Sequence, residues 1–365
     1  MRELKWIPII VASVALGAAS VIGIDALRSD EGQTTVIERT SSGGDGATIS
    51  TSISDVADLY DAVRPSVVRI TTQGARAGMG GLGSGVVIDK EGHILTNNHV
   101  IDGASQIDVT LIDGLAARAE VVGADPGNDL AVIKVDLPSD QLEPASLGDS
   151  SAVRAGEFVI AVGNPFGIEA SVTEGIVSGI GRTLSSGGGR PLRQLIQSDA
   201  AINPGNSGGG LFNSRGELIG ITTAIENPSG DRVFVGIGYA VPVNTAERFL
   251  PDLLAGRQVQ HPRMGVSLQD LTPALAGRLG IDVQQGVMIT QVENGSAASR
   301  AGLRGSSSSG DIIVALDGED VRSFEELANY IDSKKVGDKV EVTIWRDGEE
   351  TTLEITLEAW RSGGA

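Results

Sequence analysis

From Ser54 onward the hydrophobic positions recur in two rhythms. Val56, Leu59, Tyr60 and Val63 are spaced as on one face of a helix that stops before Pro65. Beyond it, short apolar runs alternate with Gly-containing turns, at 66–71, 85–88, 107–112, 130–135, 157–162, 218–224 and 234–241. Many short strands at that spacing predict sandwiches or barrels. Helical spacing returns at 244–254, where Asn244 is expected to cap a helix bearing Ala246, Phe249, Leu250 and Leu253. A polar linker then leads to Pro262 and a second unit. Strands are expected there at 264–268, 286–292 and 310–316, followed by a helix at 324–333 and strands at 339–345 and 351–357. On that helix Phe324, Leu327, Ala328 and Ile331 form one apolar face. No repeat of 20–50 residues is visible, which argues against a solenoid.

The start of the chain follows neither rhythm. An uncharged stretch at 6–24 follows Arg2 and Lys5 and would make a helix of about 28 Å, near the thickness of a bilayer core. The positive flank places everything after Asp25 on the extracytoplasmic side. A cleaved signal peptide is the alternative, with Gly17, Ala18 and Ala19 available to a peptidase. The run is longer than a usual signal core, which favours a retained anchor over residues 1–27. Both readings export the chain, and residues 28–53, rich in Ser, Thr, Gly and charge, read as a flexible stalk.

Composition narrows the chemistry. Gly is abundant (50 residues) and aromatics are 3%, which suits short strands and turns. A net charge of −19 argues against a nucleic-acid partner. There is no Cys, so thiol catalysis, disulfides and thiolate metal sites are excluded, and three His residues (His93, His99, His261) make a multi-His metal centre improbable. What remains is oxygen nucleophiles, one imidazole and carboxylates, with no cofactor and no metal. Gly78, Gly80 and Gly83 fit the dinucleotide fingerprint as a string. They precede a strand instead of following one, and read as a loop.

The strongest local signal is the run Asn203, Pro204, Gly205, Asn206, Ser207, Gly208, Gly209, Gly210. A nucleophilic Ser must stand exposed on a tight turn whose successive N–H groups converge on a developing oxyanion, and Gly205 and Ser207 have the offset to supply two such amides. A Gly-rich loop with a passive Ser is the ordinary alternative. Two further pieces change the balance: His99 ends an apolar strand and Asp129 begins another. The chain order His99, Asp129, Ser207 is that of chymotrypsin-like double barrels. It would set the first pair in one barrel and the Ser in the next, with the site in the cleft between. His99 would then take the Ser207 proton and return it to the leaving amine, and Asp129 would fix the imidazole tautomer.

At these residues the chain resembles a known family. Segment 198–209 (Ser-Asp-Ala-Ala-Ile-Asn-Pro-Gly-Asn-Ser-Gly-Gly) is similar to the nucleophile segment of the HtrA/Deg serine proteases. The likeness extends through Gly83-Ser84-Gly85, 96–100, 129–133, Gly163-Asn164-Pro165 and 238–242, and spans roughly residues 55–355. It implies a mainly β chain: a chymotrypsin-like, trypsin-type protease domain at 54–258, then an α+β PDZ domain at 259–365. It also implies an S1 pocket lined by Ile202, Ile225 and Val235, which would favour small apolar P1 residues such as Val or Ala. Asp199 does not make a trypsin-like pocket, because its offset from Ser207 differs from that of the acidic trypsin residue.

Segments 182–191 and 226–232 look like the family's mobile regulatory loops, and a homotrimer held around Val56–Tyr60, or a larger assembly, is implied. In the PDZ part, Arg263, Met264, Gly265 and Val266 would form the loop that captures a peptide's C-terminal carboxylate. Implied partners are unfolded polypeptides or C-terminal peptides, in envelope quality control or stress signalling. Three positions depart from the family pattern. Gly210 stands where Pro is usual, which is expected to loosen the nucleophile loop slightly. Arg263 stands where an aromatic or aliphatic residue is frequent, and 306–309 is a polar insertion. An endopeptidase is therefore expected. The other classes are a chaperone-like peptide holder with an idle triad, and a scaffold acting through its PDZ domain alone.

Overall fold

Asp55 caps the helix Val56–Val63 by accepting from the Ala57 amide (3.1 Å), and Leu59 and Val63 are its buried residues. Pro65 ends it in a short 3-10 turn, Arg64–Ser66, as the helical spacing requires. The computed structural model describes residues 55–74, 80–164, 170–184, 190–203, 205–225 and 234–360. The expected membrane helix and stalk lie outside them, as do residues 185–189 of one expected regulatory loop and all of the other, 226–232. Among the described residues no helix is long and apolar enough to cross a membrane.

Six antiparallel strands close the first barrel: β1 (Val67–Gly74), β2 (Gly80–Val87), β3 (His93–Thr96), β4 (Ala104–Thr110), β5 (Ala116–Asp125) and β6 (Leu130–Val135), in the order β1-β2-β3-β6-β5-β4. Gly80 and Gly83 are strand backbone in β2, paired with β1, so the fingerprint string has no helix to open. Successive residues on these strands point to opposite faces. Val68, Val87, Ile94 and Ile133 fill one apolar cluster, while their neighbours Val67, Val86, Leu95 and Val132 join another. That double burial is why the strands read as unbroken apolar runs instead of alternating ones.

The second barrel uses β8 (Phe158–Gly163), β9 (Ser171–Leu184), β10 (Leu192–Ser198), β11 (Gly210–Asn213), β12 (Glu217–Ile225) and β13 (Gly238–Pro242). Their order is β11-β8-β9-β10-β13-β12, and β11–β12 pairing closes the ring, with β7 (Ser146–Leu147) added on β12. Ile160, Val162, Leu195, Phe212 and Ile221 meet Val67, Val86, Leu95 and Val132 in one cluster, so the seam between the barrels is itself a core. The helix Val243–Leu254 forms where its spacing predicts, but Asn244 does not cap it. The Asn244 side chain accepts from the Ser150 amide and donates to Asp149 (both 2.8 Å), pinning the helix start to a neighbouring turn.

The remaining chain forms the pair β14 (Pro262–Arg263) and β21 (Glu358–Ala359), and a sheet ordered β15-β16-β17-β19-β20. Its strands are β15 (Val266–Asp270), β16 (Val287–Val292), β17 (Ile312–Leu316), β19 (Lys339–Arg346) and β20 (Glu349–Thr356), with β18 (Glu319–Asp320) on β17. The expected strand at 264–268 is split because Gly265 turns the chain at φ 82°. A helix at Pro273–Leu279 joins the expected one at Phe324–Ser333. Thr272 caps it, and Gly280 ends it in the left-handed region.

Gly210 corrects the expectation of a loosened loop. It is buried strand backbone, paired with Val162 on one side and Ile221 on the other. The space a side chain would take is filled by Phe212, whose ring lies 2.3 Å from the ideal Cβ position. Substituting Gly210→Ala should therefore cost about 1–3 kcal/mol of stability through overpacking. Combining it with Phe212→Leu should cost less than the two single changes added, because they share one space. Urea unfolding of the three variants checks this.

Candidate active site

His99 sits in the short helix Asn98–Ile101 that follows β3, and Asp129 immediately precedes β6, so β3–β6 pairing brings both to one end of the first barrel. Asp129 adopts φ 54°, a left-handed conformation that Asp tolerates better than most residues. Its carboxylate takes three donors. Oδ1 accepts from the His99 amide (2.9 Å), and Oδ2 meets His99 Nδ1 (2.7 Å) and the Thr223 hydroxyl (2.5 Å). Asn97, fully buried, donates to the Asp129 carbonyl at 2.9 Å. The His99 side chain is 49% exposed while Asp129 is 14% exposed, so the imidazole faces solvent with its carboxylate behind it.

Ser207 comes from the second barrel, on the turn before β11. Its hydroxyl donates to the Thr223 carbonyl (3.3 Å), not to His99. Thr223 thus touches both barrels' contributions, Asp129 through its hydroxyl and Ser207 through its carbonyl. The turn is held from behind by Ser84 of β2. The Ser84 hydroxyl donates to the Gly205 carbonyl (2.7 Å) and accepts from the Asn164 amide (2.8 Å), and the Ser84 amide donates to the Ser207 carbonyl (2.8 Å). Gly208 passes so close that a Cβ would lie 2.1 Å from the Ser84 carbonyl oxygen.

These bonds orient the turn's amides. The Asn206 carbonyl accepts inward bonds from the Thr222 hydroxyl (2.7 Å) and the Gly209 amide (2.8 Å). In a planar trans peptide the N–H points opposite to the C=O, so the Ser207 N–H is aimed outward. It has no acceptor among the described residues. The Gly205 amide belongs to the peptide shared with Pro204, which lies outside the described residues. Of the expected S1 residues, Ile202 is buried beside Gly238 and Val235 is exposed. Ile225 ends β12 opposite Gly238, and its side chain lies outside the described part of the structure.

Sequence reasoning missed the residues that support Asp129. Asp125, buried, accepts from the Gly127 amide (3.0 Å) and the Asn128 side chain (2.8 Å), and pairs with buried His261 (2.7 Å) at the entry to β14. Arg190 donates to the Gly127 carbonyl and the Asn128 side chain, both at 2.9 Å, and reaches Asp332 of the Phe324–Ser333 helix at 2.7 Å. The turn that presents Asp129 is therefore tied to the C-terminal sheet and helix.

Arg263, Met264, Gly265 and Val266 all line one groove between β15 and the Phe324–Ser333 helix, with Leu268, Leu327 and Ile331. The Arg263 side chain is engaged by Glu293 (2.9 Å) and Glu358 (3.1 Å) and lies over the Trp360 ring.

The potential ligand atoms of Asp89, Glu91 and His93 lie within 4.8 Å of one another. Asp89 is already committed: it accepts the Glu91 and His93 amides and the His93 ring. Burial raises its pKa, but those bonds outweigh burial and hold it below the ordinary carboxylate value. The cluster builds a hairpin turn.

Ser84→Ala tests the seam. It would leave the buried Gly205 carbonyl without this donor, at about 1–3 kcal/mol for the orphaned group. Thermal unfolding should show the loss, and a cost near zero would mean that the seam does not depend on this hydroxyl.

Comparison with known proteins identifies the domains that carry these residues. Residues 83–221 match the trypsin-like peptidase domain and residues 262–357 the PDZ domain. A probable periplasmic serine protease do/HhoA-like of Haemophilus influenzae is 42% identical over 280 residues, 76% of this chain and 58% of the relative. The periplasmic serine endoprotease DegP of Escherichia coli K12 is 39% identical over 295 residues, 78% of this chain and 60% of the relative. The chain thus spans less than two thirds of the length of these curated relatives. Among solved structures, the HtrA-type protease AlgW with a tripeptide is 37% identical, with a TM-score of 0.73 over 84% of this chain and 97% of that one. The AlgW structure with a decapeptide gives 34% and 0.71, covering 98% of that chain. The chain belongs to the HtrA-type serine proteases.

Proposed function

We propose that the protein is an extracytoplasmic serine endopeptidase acting through His99, Asp129 and Ser207. The observation that carries this reading is the His99 ring held at 2.7 Å by a carboxylate with three donors, one of them Thr223, whose carbonyl also accepts from the Ser207 hydroxyl. At rest the Ser207 hydroxyl donates to Thr223. For attack that proton passes to His99 Nε2 as Ser207 Oγ adds to the scissile carbonyl carbon. Asp129 then stabilises the imidazolium through Nδ1–H. The oxyanion is received by the Ser207 amide and, on the other side, the Gly205 amide. Collapse breaks the C–N bond, and His99 returns the proton to the leaving amine. Water repeats the sequence on the acyl-enzyme. No cofactor or metal enters the scheme.

Substrates are unfolded or signal-bearing exported polypeptides, and Ile202, Ile225 and Val235 favour a small apolar P1 residue. Peptide binding in the groove lined by Arg263–Val266 regulates the activity. Arg190 supports this regulation, because one guanidinium contacts both the groove helix and the turn before Asp129. The segment 6–24 would tether the chain to the membrane, and a trimer would form around Val56–Tyr60. The holder with an idle triad is the competing class.

Full chain and its Ser207→Ala variant should be compared on an unfolded protein and on peptides with Val or Arg at P1. Loss of a triad Ser costs roughly 10⁶ in kcat, so cleavage should vanish in the variant. Val peptides should be cut faster than Arg peptides. Equal cleavage by both proteins would refute the triad, and an Arg preference would refute the pocket.

A further inference from the structure

The groove between β15 and the Phe324–Ser333 helix is not walled by the C-terminal sheet alone. Two arginines of the second barrel, Arg190 and Arg193, line it beside Met264, Val266, Leu327 and Ile331. The Arg193 guanidinium also lies over the Phe324 ring, 5.4 Å from its centroid. The floor is apolar and suits an apolar side chain. The arginines add something that such a side chain does not use.

Both share one carboxylate. Arg190 Nη2 lies 2.7 Å and Arg193 Nη1 3.2 Å from the same Asp332 oxygen, Oδ2. Among the described residues the other oxygen, Oδ1, is buried with no hydrogen-bond partner, and Arg193 Nε is buried without an acceptor. Arg263 Nε, in the same groove, is in the same condition. The groove's own acid, Glu293, is paired with Arg263. Both guanidiniums thus share one Asp332 oxygen, and Arg193 has no second carboxylate among the described residues. Burial pushes the Arg193 pKa down, Asp332 pulls it up, and Arg190 pushes it down again, leaving it below the ordinary guanidinium value. A second carboxylate at this wall would offer Arg193 Nε an acceptor in a charge-assisted bond. A peptide's C-terminal carboxylate is expected at the backbone of the Arg263–Val266 turn, so the second one belongs to a side chain.

We infer that the groove selects C-terminal peptides that carry an acidic side chain within three residues of an apolar C-terminal residue, and that Arg193 receives that carboxylate. The inference rests on the peptide-binding reading of the groove. Asp332 acts as an internal stand-in that holds the arginines in place while the groove is empty of peptide. Selectivity then comes from a group on the second barrel, which the C-terminal sheet does not itself supply.

The test uses the full chain carrying Ser207→Ala and fluorescein-labelled peptides of about ten residues ending in Val. They are identical except for Glu or Gln at one of the three preceding positions, and binding is read by fluorescence anisotropy at low salt. At one position the Glu peptide should bind at least about tenfold tighter. That ratio should fall to about one in Arg193→Gln, and Arg193→Glu should bind a Lys peptide more tightly than the Glu peptide. Ratios taken within one variant do not depend on how much of it is folded. Equal binding of the Glu and Gln peptides at every position overturns the inference while leaving peptide binding intact. Binding of neither peptide overturns the peptide-binding reading and the inference with it. A Glu preference that survives Arg193→Gln overturns the role given to Arg193.

Discussion

Ser84 ties the turn that carries Ser207 to the first barrel, across a seam whose remaining contacts are largely apolar side chains. It is fully buried in β2 of the first barrel, and its amide and hydroxyl hold the carbonyls of Ser207 and Gly205 in the turn of the second. Its own carbonyl accepts from Thr96, at the end of the strand that leads to His99. One small residue therefore relates the strand before His99 to the turn that carries Ser207. Apolar packing along the seam supplies adhesion without fixing distance or angle. Hydrogen bonds in a buried seam supply both, because an unmade bond there costs more than a made one contributes.

The rest of the site extends from that seam. Thr223 adds a second tie across it, and Asp129 gains a donor from the barrel that does not contain it. Behind Asp129, the Asp125–His261 pair and Arg190 connect its turn to β14 and to the Phe324–Ser333 helix. A change in the groove that draws on Arg190 or Arg193 is thus one side chain away from the turn that sets the carboxylate. On the proposed reading, that route is how peptide binding in the groove would reach the barrels.

The pairing of His99 with Asp129 was legible in the sequence because each stands where an apolar strand ends or begins, in the chain order of chymotrypsin-like barrels. The seam was not. Ser84 is a small residue among glycines, and nothing local says that its hydroxyl meets residues 121 positions away. Thr223 reads as one more strand residue, and Asp125 and His261 are 136 positions apart. Some misses were readable. Thr272, Pro273 and Gly280 are a cap, a first-turn proline and a left-handed stop for the helix between them. Asn244 illustrates the converse, a good capping residue drawn away by a tertiary partner. The long strand β9 escaped because its glycines and polar residues break the apolar alternation on which strand recognition depends.

On the proposed reading two barrels assemble one nucleophile, Ser207, activated by His99. Treatment of the full chain with a fluorophosphonate, with and without an acidic C-terminal peptide, followed by peptide mapping, tests it most directly. A single adduct on Ser207 that disappears in His99→Ala is the predicted result. No adduct on Ser207 under either condition, or labelling indifferent to the loss of His99, would contradict the account.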